Sequence, residues 1–287
     1  MEMVIGFVGT GVMGKSMVKH LLNAGYKVNI YTRTKEKANE LVQLGANWCS
    51  LMEVARQSQI IFTMVGFPHD VEEVYLSSEG ILANAESSTY VIDMTTSSPT
   101  LAATIYEQAK EKGISSLDAP VSGGDIGARD ATLTIMVGGD EASFNKMESV
   151  LRILGKNIVY QGKAGAGQHT KMCNQIAIAS GMVGVCEAMV YAEKSGLDPQ
   201  KVLQSISAGA AGSWSLSNLA PRMLQGNFEP GFYVKHFIKD MKIAIEEAEK
   251  MKVNVPGLTL AKQLYDKLVA LGEENSGTQA LYKLWRE

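Results

Sequence analysis

Signals for strands and helices alternate along the first half of the sequence, whereas the second half carries helical signals only. Alternating strands and helices are typical of a parallel sheet covered by helices, so the predicted fold class is α/β followed by an all-α domain. The change of pattern near Lys163 predicts one domain over 1–163 and a helical domain over 164–287. A length of 287 residues suits two domains.

The composition argues against several classes of function. A net charge of -3 and the lack of a basic run give no electrostatic basis for nucleic-acid binding. The histidines have no metal-ligand spacing, so no metal site is expected. No signal peptide is expected, and no apolar segment approaches the ~20 residues that span a bilayer, which argues against a membrane partner. Three widely spaced cysteines fit a reducing cytoplasm.

A β-α-β unit opens the chain. An apolar strand at 3–8 is followed by Gly9, Gly11 and Gly14, which spell G-x-G-x-x-G, then by a helix and a second strand at 27–32. The first glycine makes the tight turn, the second lets a pyrophosphate approach, and the third allows close helix packing. The unit therefore predicts a Rossmann dinucleotide-binding domain. The residues between the glycines are also expected to contact the cofactor: Thr10, Val12 and Met13.

The end of the second strand favours NADP, with NAD possible. NAD-specific sites place Asp or Glu there to hold the ribose 2′-hydroxyl, whereas the first acid here is Glu36, in the next helix. Arg33 is placed to face a 2′-phosphate, with Thr34 and Lys37 as secondary contacts. The alternative is a solvated basic loop.

Further strands are predicted at 59–66, 89–95, 114–121, 131–139 and 157–162. The carboxyl ends of parallel strands form the ligand-binding edge of such sheets. Met64 and Val65 lie at the end of the third strand, and Thr96 follows the fourth in a run of hydroxyl residues. All three are therefore expected near the cofactor. The hydroxyl run also suits a cap for the helix that Pro99 opens, and both roles are compatible.

A long helix over 165–194 opens the second domain; it lacks proline and is apolar on most sides. Lys171, Asn174 and Gln175 have i, i+3 and i+4 spacing, so they share one face near its beginning. Buried polar groups are costly unless they are used or paired, which leaves two interpretations: an active-site face or a satisfied core network. Further helices are predicted at 199–209, 215–226, 234–251, 257–272 and 277–286.

Four motifs stand in order along the chain: GFVGTGVMG at 6–14, DAPVSGG at 118–124, GAGQHTKMCNQ at 165–175 and FIKDM at 237–241. Together they resemble the β-hydroxyacid dehydrogenases. This family includes 3-hydroxyisobutyrate dehydrogenase and the glyoxylate/succinic semialdehyde and tartronate semialdehyde reductases. The resemblance covers essentially the whole chain and is specific for the family rather than the substrate. It implies a Rossmann domain followed by a helical domain, with the active site in the cleft between them.

The resemblance also implies roles for individual residues. Lys171 matches the catalytic lysine of the family. The substrate carboxylate is expected at the segment Ser122, Gly123 and Gly124, whose amides also form a plausible anion nest, although an ordinary glycine turn is the alternative. Thr96 matches a contact near the nicotinamide. Lys239 matches a lysine at the cofactor and substrate end of the cleft.

Around Lys171 the sequence departs from the family pattern. Some relatives carry Asn four residues after the lysine, where this chain has Gln175 directly after Asn174. We expect Asn174, and less directly Gln175, to contact the substrate. The aromatic residues Trp214 and Phe232 are expected to line the pocket, or else to belong to the core.

The chemistry agrees with the resemblance. Oxidation of an alcohol by hydride transfer needs a base for the hydroxyl proton, and the reverse reaction needs an acid at the same place. Lys171 is expected in the first turn of its helix, where burial and the helix dipole should lower its pKa. A nearby substrate carboxylate would oppose that shift.

The sequence therefore predicts a cytoplasmic, NADP-preferring oxidoreductase that interconverts a short β-hydroxy acid and its semialdehyde, as 3-hydroxyisobutyrate dehydrogenase does. An NADPH-dependent glyoxylate, succinic semialdehyde or tartronate semialdehyde reductase is the alternative. A non-catalytic NADP-binding module is a second alternative, against which Lys171, Ser122 and Lys239 argue. Oxidation of 6-phosphogluconate would need a longer helical domain. The expected partners are a small carboxylate substrate and further copies of the chain, as a dimer or tetramer.

Overall fold

The computed structural model describes residues 3–286, and the chain divides into two compact units after Lys171. The first unit is an α/β domain and the second is all helical. The predicted fold class is confirmed. The predicted boundary between 163 and 164 lies just before the long helix, whereas the compact units divide within that helix.

One nine-stranded sheet forms the first unit. Its strands are β1 (Val4–Val8), β2 (Lys27–Tyr31), β3 (Asn47–Trp48), β4 (Ile60–Thr63), β5 (Tyr90–Asp93), β6 (Ser115–Asp118), β7 (Val121–Ser122), β8 (Leu133–Gly139) and β9 (Gly155–Gly162). Strands β3-β2-β1-β4-β5-β6 are adjacent in that order and parallel. This is the order of the doubly wound dinucleotide-binding sheet. Strand β8 is antiparallel to β6 and β7, and β9 lies parallel to β8.

Helices cover this sheet: α1 (Val12–Asn23), α2 (Asn39–Gln43), α3 (Leu51–Gln57), α4 (Pro68–Leu76), α5 (Ile81–Asn84), α6 (Pro99–Glu111), α7 (Gly124–Arg129) and α8 (Glu141–Leu151). A 3₁₀ turn spans Lys35–Ala38. The sheet separates two apolar clusters, one of which contains the stacked rings of Phe7 and Phe62. Burial of both sheet faces explains why these strands are continuously apolar.

Helix α9 (Ala166–Lys194) begins in the first unit and continues into the second. The other helices of the second unit are α10 (Pro199–Ser207), α11 (Trp214–Asn218), α12 (Ala220–Leu224), α13 (Val234–Lys250) and α14 (Pro256–Ala270), followed by a 3₁₀ segment over Thr278–Trp285. Asp198 caps α10 by accepting the Gln200 N–H at 2.9 Å. The core of this unit surrounds Phe237 and Tyr265, whose rings pack edge to face.

Several predicted element bounds need correction. The predicted strand 114–121 is two strands, because Pro120 between β6 and β7 has no N–H for a ladder. The predicted helix 215–226 is broken at Leu219, just before Pro221 in the first turn of α12. The terminal segment is a 3₁₀ helix rather than an α-helix.

The length of α9 also corrects the expectation about apolar segments. The helix has 29 residues and a mean hydropathy of 1.4 over its most apolar stretch, enough by length and composition to cross a membrane. Core helices of soluble proteins pass the same test, and 44% of that stretch is buried within the protein. The helix is therefore weak evidence for a membrane span.

Candidate active site

The three glycines between β1 and α1 differ in what surrounds them. A side-chain carbon at Gly9, which has φ +97°, would overlap the Met64 carbonyl, and one at Gly14 would overlap the Gly9 carbonyl. At Gly11, no atom of residues 3–286 lies within 4 Å of such a carbon. Two of the glycines are thus required for packing, whereas the third faces open space, as close approach of a phosphate requires.

The N-terminus of α1 has the features of an anion site. Gly11 is its N-cap and supplies no side-chain hydrogen bond to the first turn. The Thr10 hydroxyl is buried with no hydrogen-bond partner in the described part of the chain. Val12 is exposed on the first turn, and Met13 packs against the core. Uncapped N–H groups, an unpaired hydroxyl and open space at Gly11 all fit the predicted dinucleotide phosphates.

The loop after β2 places a cation where the sequence predicts the 2′-phosphate. Arg33 Nη1 lies 3.0 Å from Oδ1 of Asp70, a buried residue of α4, while most of the arginine side chain is exposed. The other oxygen of Asp70 accepts the Phe67 N–H at 3.0 Å and so caps α4. Thr34 and Lys37 are exposed neighbours in the same loop, where the Lys37 N–H donates to the Thr34 carbonyl.

The carboxyl ends of β4 and β5 are tied together by side chains. The Val65 N–H donates to the Thr95 hydroxyl at 3.0 Å, and the Met64 N–H donates to the Val8 carbonyl. Asp93, at the end of β5, accepts the Thr63 hydroxyl at 2.7 Å and the Thr95 N–H at 3.0 Å. These bonds fix the backbone on either side of the predicted cofactor contacts. The predicted contact Thr96 follows directly and is half-buried.

Gln168, in the first turn of α9, joins this edge of the sheet. Its Nε2 donates to the Thr95 carbonyl at 2.7 Å, and its Oε1 accepts the Ser97 N–H at 2.9 Å. The side chain is 0% exposed. A primary amide that pairs with both a carbonyl and an N–H is held in one orientation, so the first turn of α9 is fixed to the loop after β5.

Asp118, at the end of β6, holds the same helix end. Its two oxygens accept the N–H groups of Gly165 and Gln168, each at 2.8 Å. Asp118 lies beside Asp93 on the neighbouring strand, in register with it. Burial raises the pKa of Asp118 to about 6, although the backbone N–H groups partly lower it. A side chain at Gly167 would overlap the Met136 carbonyl, so helix and sheet are in close contact.

Lys171 lies one turn beyond Gln168 and is only 6% exposed. The expectation that it occupies the first turn of the helix is wrong, because α9 begins at Ala166 and Lys171 is in its second turn. The field of a helix terminus falls off within the first turn, so the helix dipole acts only weakly on Lys171.

The segment predicted for the substrate carboxylate joins β7 to α7. Ser122 pairs with Thr134 of β8 and is half-buried, and the next two residues are Gly123 with φ +130° and Gly124 with φ +63°. Both backbones are in the left-handed region that favours glycine. The glycines are thus required by the turn itself, which is also compatible with an anion nest.

In the second unit, Asn174 and Gln175 belong to a polar chain. Asn174 Nδ2 donates to Gln175 Oε1 at 2.8 Å, and Gln175 Nε2 donates to Asp240 Oδ2 at 2.6 Å. Lys239 Nζ lies 3.0 Å from the other oxygen of Asp240, an ion pair whose angle does not make a hydrogen bond. Asp240 is 1% exposed. A hydrogen-bonded network, in which one oxygen of Asp240 accepts no hydrogen bond from the described residues, thus occupies part of the polar face that the sequence left open to two interpretations.

The two aromatic residues expected at the pocket differ. Phe232 is half-buried, with its ring 5.5 Å from that of Phe237. Trp214 is 63% exposed and is the first residue of α11, so it does not belong to the core, and its expected place at the pocket stays a prediction.

Two family models match the chain. One, described as the NAD binding domain of 6-phosphogluconate dehydrogenase, matches residues 4–162. The other, described as NAD-binding of NADP-dependent 3-hydroxyisobutyrate dehydrogenase, matches residues 165–285.

Similar proteins cover nearly all of the chain. The Bacillus subtilis (strain 168) protein named Uncharacterized oxidoreductase YkwC is 65% identical over 99% of both chains. Probable 3-hydroxyisobutyrate dehydrogenase-like 1, mitochondrial, from Arabidopsis thaliana is 47% identical over 96% of this chain and 83% of its own. The 2-hydroxy-3-oxopropionate reductase of Escherichia coli (strain K12) is 38% identical over 97% of this chain and 96% of its own. Mycobacterium tuberculosis 3-hydroxyisobutyrate dehydrogenase, solved with L-serine, is 30% identical with a TM-score of 0.92 over 100% of both chains.

The chain belongs to the β-hydroxyacid dehydrogenase family. This β-hydroxyacid dehydrogenase is an oxidoreductase that acts on CH–OH groups and uses a nicotinamide dinucleotide, NADP with NAD possible. The predictions of family, fold class, enzyme class and cofactor are confirmed. The roles of individual residues stay predictions.

Sequence reasoning missed four residues of this β-hydroxyacid dehydrogenase that hold its site residues. These are Asp70, Asp118, Gln168 and Asp240, all of them buried. Three of them stand inside the quoted family motifs: Asp118 begins DAPVSGG, Gln168 is three residues before Lys171, and Asp240 directly follows Lys239. A buried polar residue at helical spacing from a predicted catalytic residue is a signal that could have found them.

The glycine loop gives a first prediction. Gly11→Ala should keep the melting temperature, because Gly11 has φ -70° and open space, yet weaken NADPH binding roughly tenfold or more by blocking close approach. Gly14→Ala should instead lower stability by about 1–3 kcal/mol, since the new methyl group overlaps the Gly9 carbonyl. Fluorescence titration of NADPH and thermal unfolding measure both effects. If Gly11→Ala and Gly14→Ala changed NADPH affinity and melting temperature equally, the assignment of Gly11 to cofactor binding and Gly14 to packing would be contradicted.

The buried carboxylate gives a second prediction. Because the pKa of Asp118 is raised to about 6, the folded protein binds a proton more tightly than the unfolded chain. Relative to Asp118→Asn, the wild type should therefore gain stability as the pH falls from 7 to 4, by as much as about 3 kcal/mol. Urea unfolding at several pH values measures the difference. A difference independent of pH would show that the carboxyl has an ordinary pKa.

Proposed function

We propose that this protein is an NADP-preferring dehydrogenase that interconverts a short β-hydroxy acid and its semialdehyde, with 3-hydroxyisobutyrate as the leading substrate. One observation carries the proposal. Lys171, a buried residue whose amine can exchange a proton, follows a helix turn bonded to the carboxyl end of β5. Ligands of doubly wound sheets bind at that edge.

Lys171 is the general acid and base in this proposal. The nicotinamide supplies or accepts the hydride when it is bound. In the oxidation of an alcohol, the neutral amine takes the hydroxyl proton, and in the reduction of an aldehyde the ammonium returns it. Burial of the side chain excludes competing water.

The substrate is a small carboxylate bound by its charge and its hydroxyl or carbonyl group. The backbone of Ser122, Gly123 and Gly124 is our candidate for the carboxylate contact, because successive amides of a left-handed turn form a concave anion site. Asn174 and Phe232 are the candidates for the polar and apolar contacts that set substrate length. Gln175 is a weaker candidate, since its amide already bonds both Asn174 and Asp240.

The cofactor contacts follow the sheet edge. The glycine loop would hold the pyrophosphate with the residues Gly9, Thr10, Gly11, Val12, Met13 and Gly14. The nicotinamide half would lie along Met64, Val65 and Thr96. Lys239 is a further candidate for a cofactor contact. For NADP, Arg33 would bind the 2′-phosphate with Thr34 and Lys37, exchanging or sharing its ion pair with Asp70.

A second candidate function is reduction of glyoxylate, succinic semialdehyde or tartronate semialdehyde with NADPH. The exposed guanidinium of Arg33 favours it, since a preference for NADPH suits a reductase. The Escherichia coli relative is named for the reduction of 2-hydroxy-3-oxopropionate.

We also propose that the enzyme works in the cytoplasm as a dimer or tetramer. Small residues on one exposed side of α9, among them Ser180, Gly181 and Gly184, would let a helix of another copy approach closely. Size-exclusion chromatography with light scattering measures the number of copies.

The experiment that tests the function measures NADPH oxidation with glyoxylate and with the succinic, methylmalonate and tartronate semialdehydes, and NADH is run in parallel. Turnover of methylmalonate semialdehyde well above the others supports the 3-hydroxyisobutyrate assignment. Preference for another member supports the reductase. Binding of NADPH with no turnover of any member would contradict both.

Lys171→Met should lower kcat by on the order of 100- to 10,000-fold, because it keeps a similar buried volume but cannot transfer a proton. Lys163→Ala, which removes an exposed lysine before the same helix, is the matched control and should keep wild-type turnover. In the wild type, the rate of alcohol oxidation should rise with pH and the rate of aldehyde reduction should fall, since the two directions need opposite protonation states. Normal turnover by a folded Lys171→Met protein would rule out the proposed acid and base.

Arg33→Ala should weaken NADPH binding roughly 10- to 100-fold and leave NADH binding nearly unchanged, because only NADPH carries the 2′-phosphate. Arg56→Ala removes another exposed arginine of the same unit and should change neither affinity. Titration of both cofactors with both variants measures this. Parallel losses of NADPH and NADH affinity in Arg33→Ala would indicate a different role for Arg33.

A further inference from the structure

We propose that Gln168, supported by Asp118, is a positioning residue for Lys171. The amide of Gln168 fixes the turn of α9 that precedes the lysine against the loop that carries Thr96. The inference rests on the proposed function of Lys171, since a positioning role needs a reacting group to position.

Gln168 holds the backbone on both sides of Thr96. The carbonyl it binds belongs to Thr95 and the N–H it binds belongs to Ser97. A rotation of the helix about its axis, or a shift of the loop, would therefore break both bonds together. Each broken bond would leave a buried backbone group unpaired, which makes the arrangement stiff.

Lys171 follows Gln168 by three residues, so the two side chains leave neighbouring turns of one helix face. Three residues span about 4.5 Å along an α-helix. The hydrogen bonds of the Gln168 amide fix the orientation of its helical turn, and therefore also the orientation of the adjoining turn that carries Lys171. Loss of a positioning contact of this kind costs activity because reacting groups must be placed within about 1 Å.

Asp118 fixes the same helix end from a second strand. Its carboxylate takes the N–H groups of Gly165 and Gln168, so the residue that orients the turn is itself bonded through its backbone. A Ser or Asn in the preceding loop would satisfy such groups without burying a charge. The buried carboxylate is the costlier solution, and it fixes the helix to the sheet rather than to its own loop.

The test uses the full chain and reads the state of Lys171 directly. Acetic anhydride at low concentration labels lysine amines, and mass spectrometry of the Lys171 peptide gives the labelling rate at each pH. The variants are Gln168→Met, which removes both hydrogen bonds at similar volume, and Gln168→Glu, which keeps an acceptor for the Ser97 N–H. Val150→Ala, a core substitution in α8, is the control for general loss of stability.

We expect Gln168→Met to raise the labelling rate of Lys171 by about fivefold or more, because its turn opens locally, while Val150→Ala labels like the wild type. Gln168→Glu should have the same effect, and it replaces Gln168→Met if that variant does not fold. With the aldehyde that the wild type turns over, kcat should fall about 10- to 100-fold while the KM for NADPH is unchanged.

Equal labelling of Lys171 in the Gln168 variants and in Val150→Ala would overturn the proposal and leave Gln168 a structural residue. Lys171→Met, assayed in parallel, separates the two hypotheses. If Lys171→Met turned over normally, the proposed function would fail, whereas the labelling rates would still decide whether Gln168 positions this turn.

Discussion

The carboxylate of Asp118 is the contact on which the placement of α9 depends. It receives two N–H groups from a segment 47 and 50 residues further along the chain, whereas Asp93, its partner in register, holds the loop that directly follows its own strand. Two buried carboxylates side by side are unfavourable, and Asp93 contributes to the raised pKa of Asp118. The backbone N–H groups that the two carboxylates accept offset part of the cost of burying them. Each loop that supplies these N–H groups is therefore held by the strand that carries the carboxylate.

The N-termini of α9 and α1 differ in whether a side chain accepts their backbone N–H groups. At α9, the Asp118 carboxylate already accepts the N–H groups of Gly165 and Gln168. At α1, the cap is Gly11, the first turn has no acid, and the Thr10 hydroxyl has no partner within residues 3–286. A helix end that the protein leaves uncapped attracts an anion, whereas a capped one fixes structure. The difference supports our proposal that the cofactor phosphates bind at the first helix.

The features that could be predicted from the sequence are those determined by residues close together in the chain. The first β-α-β unit, the glycine turn and the cap of α10 are local patterns, and the structure has each of them. The bounds predicted for α9, 165–194, agree with the observed Ala166–Lys194, whereas its hydrogen bonds to Asp118 could not be predicted from neighbouring residues. The roles of Gln168 and Asp240 depend on partners 71 and 65 residues away, which no local pattern reveals. The break at Leu219 was missed although Pro221 signals it.

The polar face of α9 shows that a core network and a functional site need not exclude each other. The carbonyl oxygen of Gln175 accepts a hydrogen bond from Asn174, and its Nε2 donates one to Asp240. Oδ1 of Asp240 lies 3.0 Å from Lys239 Nζ. Each bond satisfies a buried group, as a core network must. Each bond also removes a rotamer choice from a residue that we assign to substrate or cofactor. A shorter Asn at 175 would not reach Asp240 with this backbone, so the hydrogen bond to the buried Asp240 requires the longer amide of Gln175.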